Sequence, residues 1–136
     1  MRKITKIILH CSATKEGQKF TVKDIDAWHK QRGFKGVGYH YVILLDGTVE
    51  LGRPESEIGA HTLGQNANSI GICYIGGLDA SEKPKDTRTD AQREALIKLV
   101  KELKAKYPGA TVHGHNEFAN KACPSFNVKN ELKTFD

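Results

Sequence analysis

Three residues in this sequence have the chemistry of a metal site: His10, His115 and Cys123. The cysteine lies in the run Lys121-Ala122-Cys123-Pro124, eight residues after His115, and His10 closes the apolar run Ile7-Ile8-Leu9 far upstream. Two imidazoles and a thiolate suit zinc. Three protein ligands leave the fourth tetrahedral position to water, whose pKa falls from about 15.7 to roughly 7 on the metal, which makes hydroxide available to attack a carbonyl. Spacing alone does not establish the site, because a histidine remote from a cysteine is also a common surface or core residue. Position adds weight. The β-branched run before His10 reads as a buried strand, so His10 stands at a strand's C-terminal end, where sites in α/β sheets gather. Alternation turns Cys11 to the other face.

The elements that must hold these residues follow from the pattern along the chain. Thr21-Val22-Lys23-Asp24 opens a helix whose Ile25 and Trp28 face one way and which Gly33 stops. Tyr39 to Leu45 is β-rich, and Asp46-Gly47 predicts a two-residue hairpin turn before the strand Thr48-Val49-Glu50-Leu51. Residues 58–69 read as an irregular surface loop and Ile70 to Ile75 as a strand with Cys73 in the core. After the lysine-rich loop Ser81 to Arg88, Thr89 and Gln92 form a capping-box pattern, and Leu96, Leu99, Val100 and Leu103 follow helical spacing until Pro108-Gly109. That stripe is a core face. A short strand from Ala110 to His113 delivers the chain to His115. The expected fold is α/β: one domain over residues 1–136, a central mixed β-sheet flanked by α-helices.

Composition bounds what such a fold can be. A chain of 136 residues with 38% hydrophobic content buries a core without staples. The cysteines, Cys11, Cys73 and Cys123, are odd in number and form no CxxC pair, which argues for a reducing compartment and against a disulfide framework. The apolar run after the basic start is too short for a signal peptide, and nothing approaches the ~20 apolar residues of a membrane span. Synthesis in the cytoplasm without a leader and no membrane insertion are therefore expected. The formal charge of +5 favours anionic partners such as phosphate-rich wall polymers, membrane surfaces or nucleic acid, or else serves solubility alone. No basic stripe interleaved with aromatics supports direct nucleic-acid binding.

Five ordered motifs carry a resemblance. Ile8-Leu9-His10-Cys11-Ser12-Ala13-Thr14, Gly36-Val37-Gly38-Tyr39-His40-Tyr41, Asp46-Gly47-Thr48-Val49, Asn68-Ser69-Ile70-Gly71 and Lys121-Ala122-Cys123-Pro124-Ser125-Phe126 together resemble the zinc-dependent N-acetylmuramoyl-L-alanine amidases of the phage T7 lysozyme type. Peptidoglycan recognition proteins share that fold. The likeness implies one zinc ion held by His10, His115 and Cys123, catalytic roles for Tyr39 and Lys121, and a substrate contact for His61. It also implies cleavage of the amide between N-acetylmuramic acid and L-alanine in peptidoglycan, with the muramyl peptide as partner. A monomer in a phage or prophage setting is expected, which would need a membrane pore to reach the cell wall. A bacterial recycling enzyme fits as well. Two other readings stand beside it: a peptidoglycan-binding module without catalysis, which Cys123 argues against, and a regulatory protein that binds a polymerase, which only the resemblance suggests.

Physical chemistry gives these residues the same roles. A lysine two residues before a ligand cysteine is tethered near the metal, where its ammonium would stabilise an oxyanion. Tyr39, with an ordinary pKa near 10, is a poor base at neutral pH and is assigned first to stabilisation, the bland reading being a core aromatic. His40, turned opposite to Tyr39, is expected to be structural, His29 a surface residue, and His113 not a ligand. Glu117 follows His115 closely, but the helical HExxH spacing of zincins is absent. It is expected to orient a histidine or cap the loop, with a general base as the alternative.

Overall fold

The computed structural model describes residues 2–132 and 135, so Met1, Lys133, Thr134 and Asp136 of the expected 1–136 domain lie outside the described residues. Strand β1 (Lys6–Cys11) is the apolar run that ends in His10. It lies between β5 (Ser69–Tyr74) and β7 (Thr111–Gly114), parallel to both. On the far side of β5 comes β3 (Tyr41–Ile43), also parallel, with β4 (Val49–Leu51) antiparallel at the edge. The five-stranded order is β4-β3-β5-β1-β7, and β2 (Thr14–Lys15) pairs separately with β6 (Gly77–Leu78). Parallel neighbours need crossovers, which the helices help to supply.

Period-two alternation sorts the sheet into two faces. Ile7, Leu9, Ile43, Ile70, Ile72 and Tyr74 pack against Leu96, Leu99, Val100 and Leu103 of α2 (Asp90–Lys106), the stripe expected from the sequence. Cys11 joins that cluster, opposite in direction to His10 as alternation requires. Val42, Cys73 and Ile75 face the other way onto Ile25 of α1 (Val22–Gln31) and Val37, and Trp28 packs at the edge of this group. The fold is thus a mixed sheet between helices. A last short helix, α3 (Val128–Glu131), buries Val128 beside β7.

The two longer helices open on side-chain caps, reciprocal in α2. Gln92 N–H donates to Thr89 Oγ1 at 3.0 Å, and Thr89 N–H donates to Gln92 Oε1 at 2.9 Å. At α1 the cap is one-sided, with Thr21 N–H donating to Asp24 Oδ2 at 2.8 Å.

Three local expectations are corrected. The β3–β4 connection is a three-residue loop, because Leu44 N–H bonds Thr48 O at 2.8 Å and Gly47 N–H bonds Leu44 O at 2.9 Å. A two-residue type I′ turn needs positive φ at both central residues, and here only Gly47 has it, at +88°. Second, β3 begins at Tyr41, yet pairing continues irregularly, with Gly52 N–H bonded to His40 O and Arg53 N–H to Tyr39 O. Strict alternation fails there: the Tyr39 and His40 rings both approach His61, at centroid distances of 6.4 and 5.9 Å. Third, His29 is buried. Its Nδ1 accepts from Gly38 N–H at 2.9 Å and its ring lies 5.5 Å from that of Tyr39, because α1 packs on the segment that leads into β3.

Candidate metal centre

Sheet register brings the first two ligand candidates together. Leu9 of β1 pairs with Gly114, the last residue of β7, so His10 and His115, which come next in the chain, emerge at the same C-terminal edge. Their ring centroids lie 4.7 Å apart. Cys123 arrives from the loop after β7, which ends short of Cys11; the free Cys11 N–H donates to Cys123 Sγ at 3.2 Å. Tyr74 hydroxyl donates to Pro124 O at 2.7 Å and Ser125 hydroxyl to Gly77 O at 2.9 Å, which anchors the loop to the sheet. One ligand atom from each of His10, His115 and Cys123 falls within 4.8 Å of the others. Cys123 Sγ is 3.7 Å from His10 Nδ1.

The electrostatics suit a cation site that is assembled from neutral rings. Burial, then the neighbouring His61, His115 and Lys121, holds His10 well below the usual histidine range. Burial and Lys121 lower His115 in the same direction. Both rings therefore keep a lone pair at neutral pH. The Cys11 hydrogen bond and burial raise the Cys123 thiol, so a metal must displace its proton. Lys121 is exposed, and its charge reaches both imidazoles.

The sequence model of the N-acetylmuramoyl-L-alanine amidase family matches residues 1–126. The chain belongs to that family. The amidase is 49% identical to the endolysin of Escherichia phage T7 over 135 residues, covering 96% of this chain and 89% of that protein. Among solved structures, N-acetylmuramoyl-L-alanine amidase LysC from Clostridium intestinale matches with a TM-score of 0.81 and 33% identity, over 97% of this chain and 87% of that one. Drosophila PGRP-LB shares the fold, with a TM-score of 0.81 at 24% identity over 98% and 82% of the two chains.

Around the cluster, the amidase arranges the other residues expected from its sequence. The Tyr39 ring lies 5.0 Å from that of His10. Burial first, then the thiols of Cys73, Cys123 and Cys11, raises its pKa well above the ordinary value, so Tyr39 stays a phenol and a donor. His61 stands beside His10, with ring centroids 4.8 Å apart. Burial, reinforced by His40 and His115, pushes it down to about 3, so it too is neutral. His40 is structural as expected: buried, it lies 2.8 Å from Glu57 O through Nε2 and accepts from Gly71 N–H through Nδ1 at 3.0 Å. Glu117 serves the loop, with Oε1 2.8 Å from His113 Nδ1 and Oε2 accepting Gly114 N–H at 2.7 Å. It orients His113, which is not among the clustered ligand atoms.

Several contributors were not anticipated. Cys73 pairs with His10 in register, on the same face and next to Tyr39, a placement that depends on the β1–β5 pairing. Arg2 donates to the carbonyls of Glu55, Asn66 and Ser69 and lies 3.1 Å from His40 Nε2, which ties the N-terminal segment to the loop that carries His61. Thr62, buried, lies 3.2 Å from His10 Nε2. Its position next to His61 was the one available signal.

Proposed function

We propose that the protein hydrolyses the amide between the lactyl group of N-acetylmuramic acid and L-alanine in peptidoglycan, with one zinc ion held by His10, His115 and Cys123. The convergence of these three ligand atoms within 4.8 Å carries the reading. The donor set fits the metal: Zn–S of about 2.3 Å and Zn–N of about 2.0 Å put tetrahedral sulfur and nitrogen about 3.5 Å apart, and Cys123 Sγ and His10 Nδ1 are separated by 3.7 Å. Zinc, when bound, supplies Lewis acidity and lowers the pKa of water at its open position to about 7.

The remaining chemistry belongs to the chain. Lys121, exposed beside the two imidazoles, stabilises the negative charge that develops on the scissile carbonyl oxygen. Tyr39 donates its phenolic proton into a hydrogen bond to the same oxygen and, with its pKa raised, does not act as a base. Addition of hydroxide to the carbonyl carbon and cleavage of the C–N bond leave a carboxylate on the glycan side, and the proton that the hydroxide oxygen carried passes to the departing nitrogen, which leaves as the neutral amine. Among the described residues no helix is long and apolar enough to cross a membrane, and the kinship with phage endolysins supports action on the cell wall from a phage or prophage.

Mass spectrometry of purified peptidoglycan tests this reading with zinc-loaded protein, a chelated sample and Cys123→Ser. Stem peptides with new N-terminal alanine, absent from both controls, are expected. Intact peptidoglycan that retains the protein would instead identify a binding module.

A further inference from the structure

His10 turns Nδ1 toward Cys123, which leaves Nε2 pointing away from the ligand cluster into the protein. Two groups meet it there: His61 Nδ1 at 2.9 Å and Thr62 Oγ1 at 3.2 Å, themselves 2.9 Å apart. We propose that His61 and Thr62 are positioning residues, which fix the tautomer and ring plane of the ligand His10, and that His61 is not a nitrogen donor or acceptor for substrate. The inference rests on the metal centre proposed above.

A neutral imidazole that offers Nδ1 to a metal carries its proton on Nε2, and that N–H needs an acceptor when the ring is buried. His10 is 1% exposed. It donates directly to His61 Nδ1, or to Thr62 Oγ1, whose hydroxyl passes its own proton into a bond with His61 Nδ1. Either route ends on the same lone pair, so His61 keeps its proton on Nε2, which lies 3.4 Å from Ser69 Oγ. Both nitrogens of His61 are then used inside the protein.

The surroundings hold these groups in place. A Cβ at Gly71 would stand 2.6 Å from His61 Cδ2, and one at Gly59 2.7 Å from the same atom, so bare backbone on both residues accommodates the ring. The peptide groups of His61 and Thr62 both donate to Asn66 Oδ1, at 2.9 and 3.0 Å. Such fixing is what a side chain that orients a metal ligand requires.

The test compares the unaltered chain with His61→Leu, His61→Asn and Thr62→Val. Its readouts are zinc affinity by chelator competition, the visible spectrum of the cobalt-loaded protein, and KM for a soluble muramyl peptide at saturating zinc. Loss of an orienting partner typically weakens metal binding about 10–100-fold. His61→Leu should do so with a changed cobalt spectrum and an unchanged KM. Asn places Oδ1 where Nδ1 stood, and His61→Asn should restore affinity to near the unaltered value. Thr62→Val, close in shape, should weaken zinc binding and serves as the second probe if His61→Leu does not fold. Unchanged zinc affinity and cobalt spectrum with a raised KM in His61→Leu, or unchanged affinity in Thr62→Val where His61→Leu does not fold, would overturn the proposal. An unaltered chain that binds no zinc would overturn the metal centre itself.

Discussion

At the scale of single residues, the site is built from groups held in one protonation state by burial. His10 and His115 are lowered and already neutral at pH 7, whereas Cys123 is raised and still a thiol. Zinc binding should therefore release one proton, from Cys123, and none from the imidazoles. Below the pKa of the folded thiol, affinity should rise about tenfold per pH unit and fall equally as pH drops. Calorimetric titration about one pH unit below the ionisation of zinc-bound water, in buffers of different ionisation enthalpy, counts the protons, and release of none or of two there would refute this assignment. Tyr39 gives a second residue-level expectation. Its phenol stays protonated, so Tyr39→Phe should lower kcat by about 10²–10³-fold, as for loss of one oxyanion donor, and leave the shape of the pH–rate profile unchanged. Full turnover in Tyr39→Phe would return the ring to a purely core role. The clustering of His10, His115 and Cys123 was legible because their residue types announce metal chemistry. The burial of His29 was not, because it depends on where α1 meets the segment entering β3.

At the scale of elements, the sheet register does the assembling. The pairing of Leu9 with Gly114 sets His10 beside His115, and the early end of β7 leaves the Cys11 N–H for Cys123. The strand cores and the α2 stripe were legible from periodicity, since one buried face imposes its period on the sequence. Strand ends were less so: the hairpin loop and the start of β3 turn on one positive φ and on a close approach of Gly52 to Tyr39 O, neither of which alternation reports. Gln92 shows how an element is tied in. Fully buried, it completes the Thr89 cap with Oε1 and donates Nε2–H to Ile43 O at 3.2 Å and Ile75 O at 3.0 Å. The capping box was visible in the sequence, the link from helix to strand ends was not. Gln92→Leu strips Thr89 N–H and Ile75 O of these partners and should cost about 2 kcal/mol of stability. Urea denaturation reads this directly, and a midpoint equal to that of the unaltered protein would show that the link carries no net stability.

At the scale of the whole molecule, two features bear on how the enzyme meets its substrate. The loop that carries Lys121 and Cys123 is clamped from outside the site: the Arg88 guanidinium lies 3.5 Å from the Phe126 ring centroid and pairs with Asp86 and Glu131, which Arg93 also bridges. The active edge is thus held on a rigid frame, and its approach to an extended polymer is left to long-range forces. The formal charge is +5, and bacterial walls carry anionic polymers, so attraction should raise the local enzyme concentration at the wall without entering the chemical step. Screening separates the two contributions, because the Debye length shrinks from about 30 Å at 0.01 M salt to about 3 Å at 1 M. Turnover of whole sacculi should fall across that range, and turnover of a soluble muramyl peptide at saturating concentration should stay level. A parallel fall in both would move the salt effect into the site, with Lys121 as the first group to examine. No fall in either would mean that the basic charge serves solubility alone.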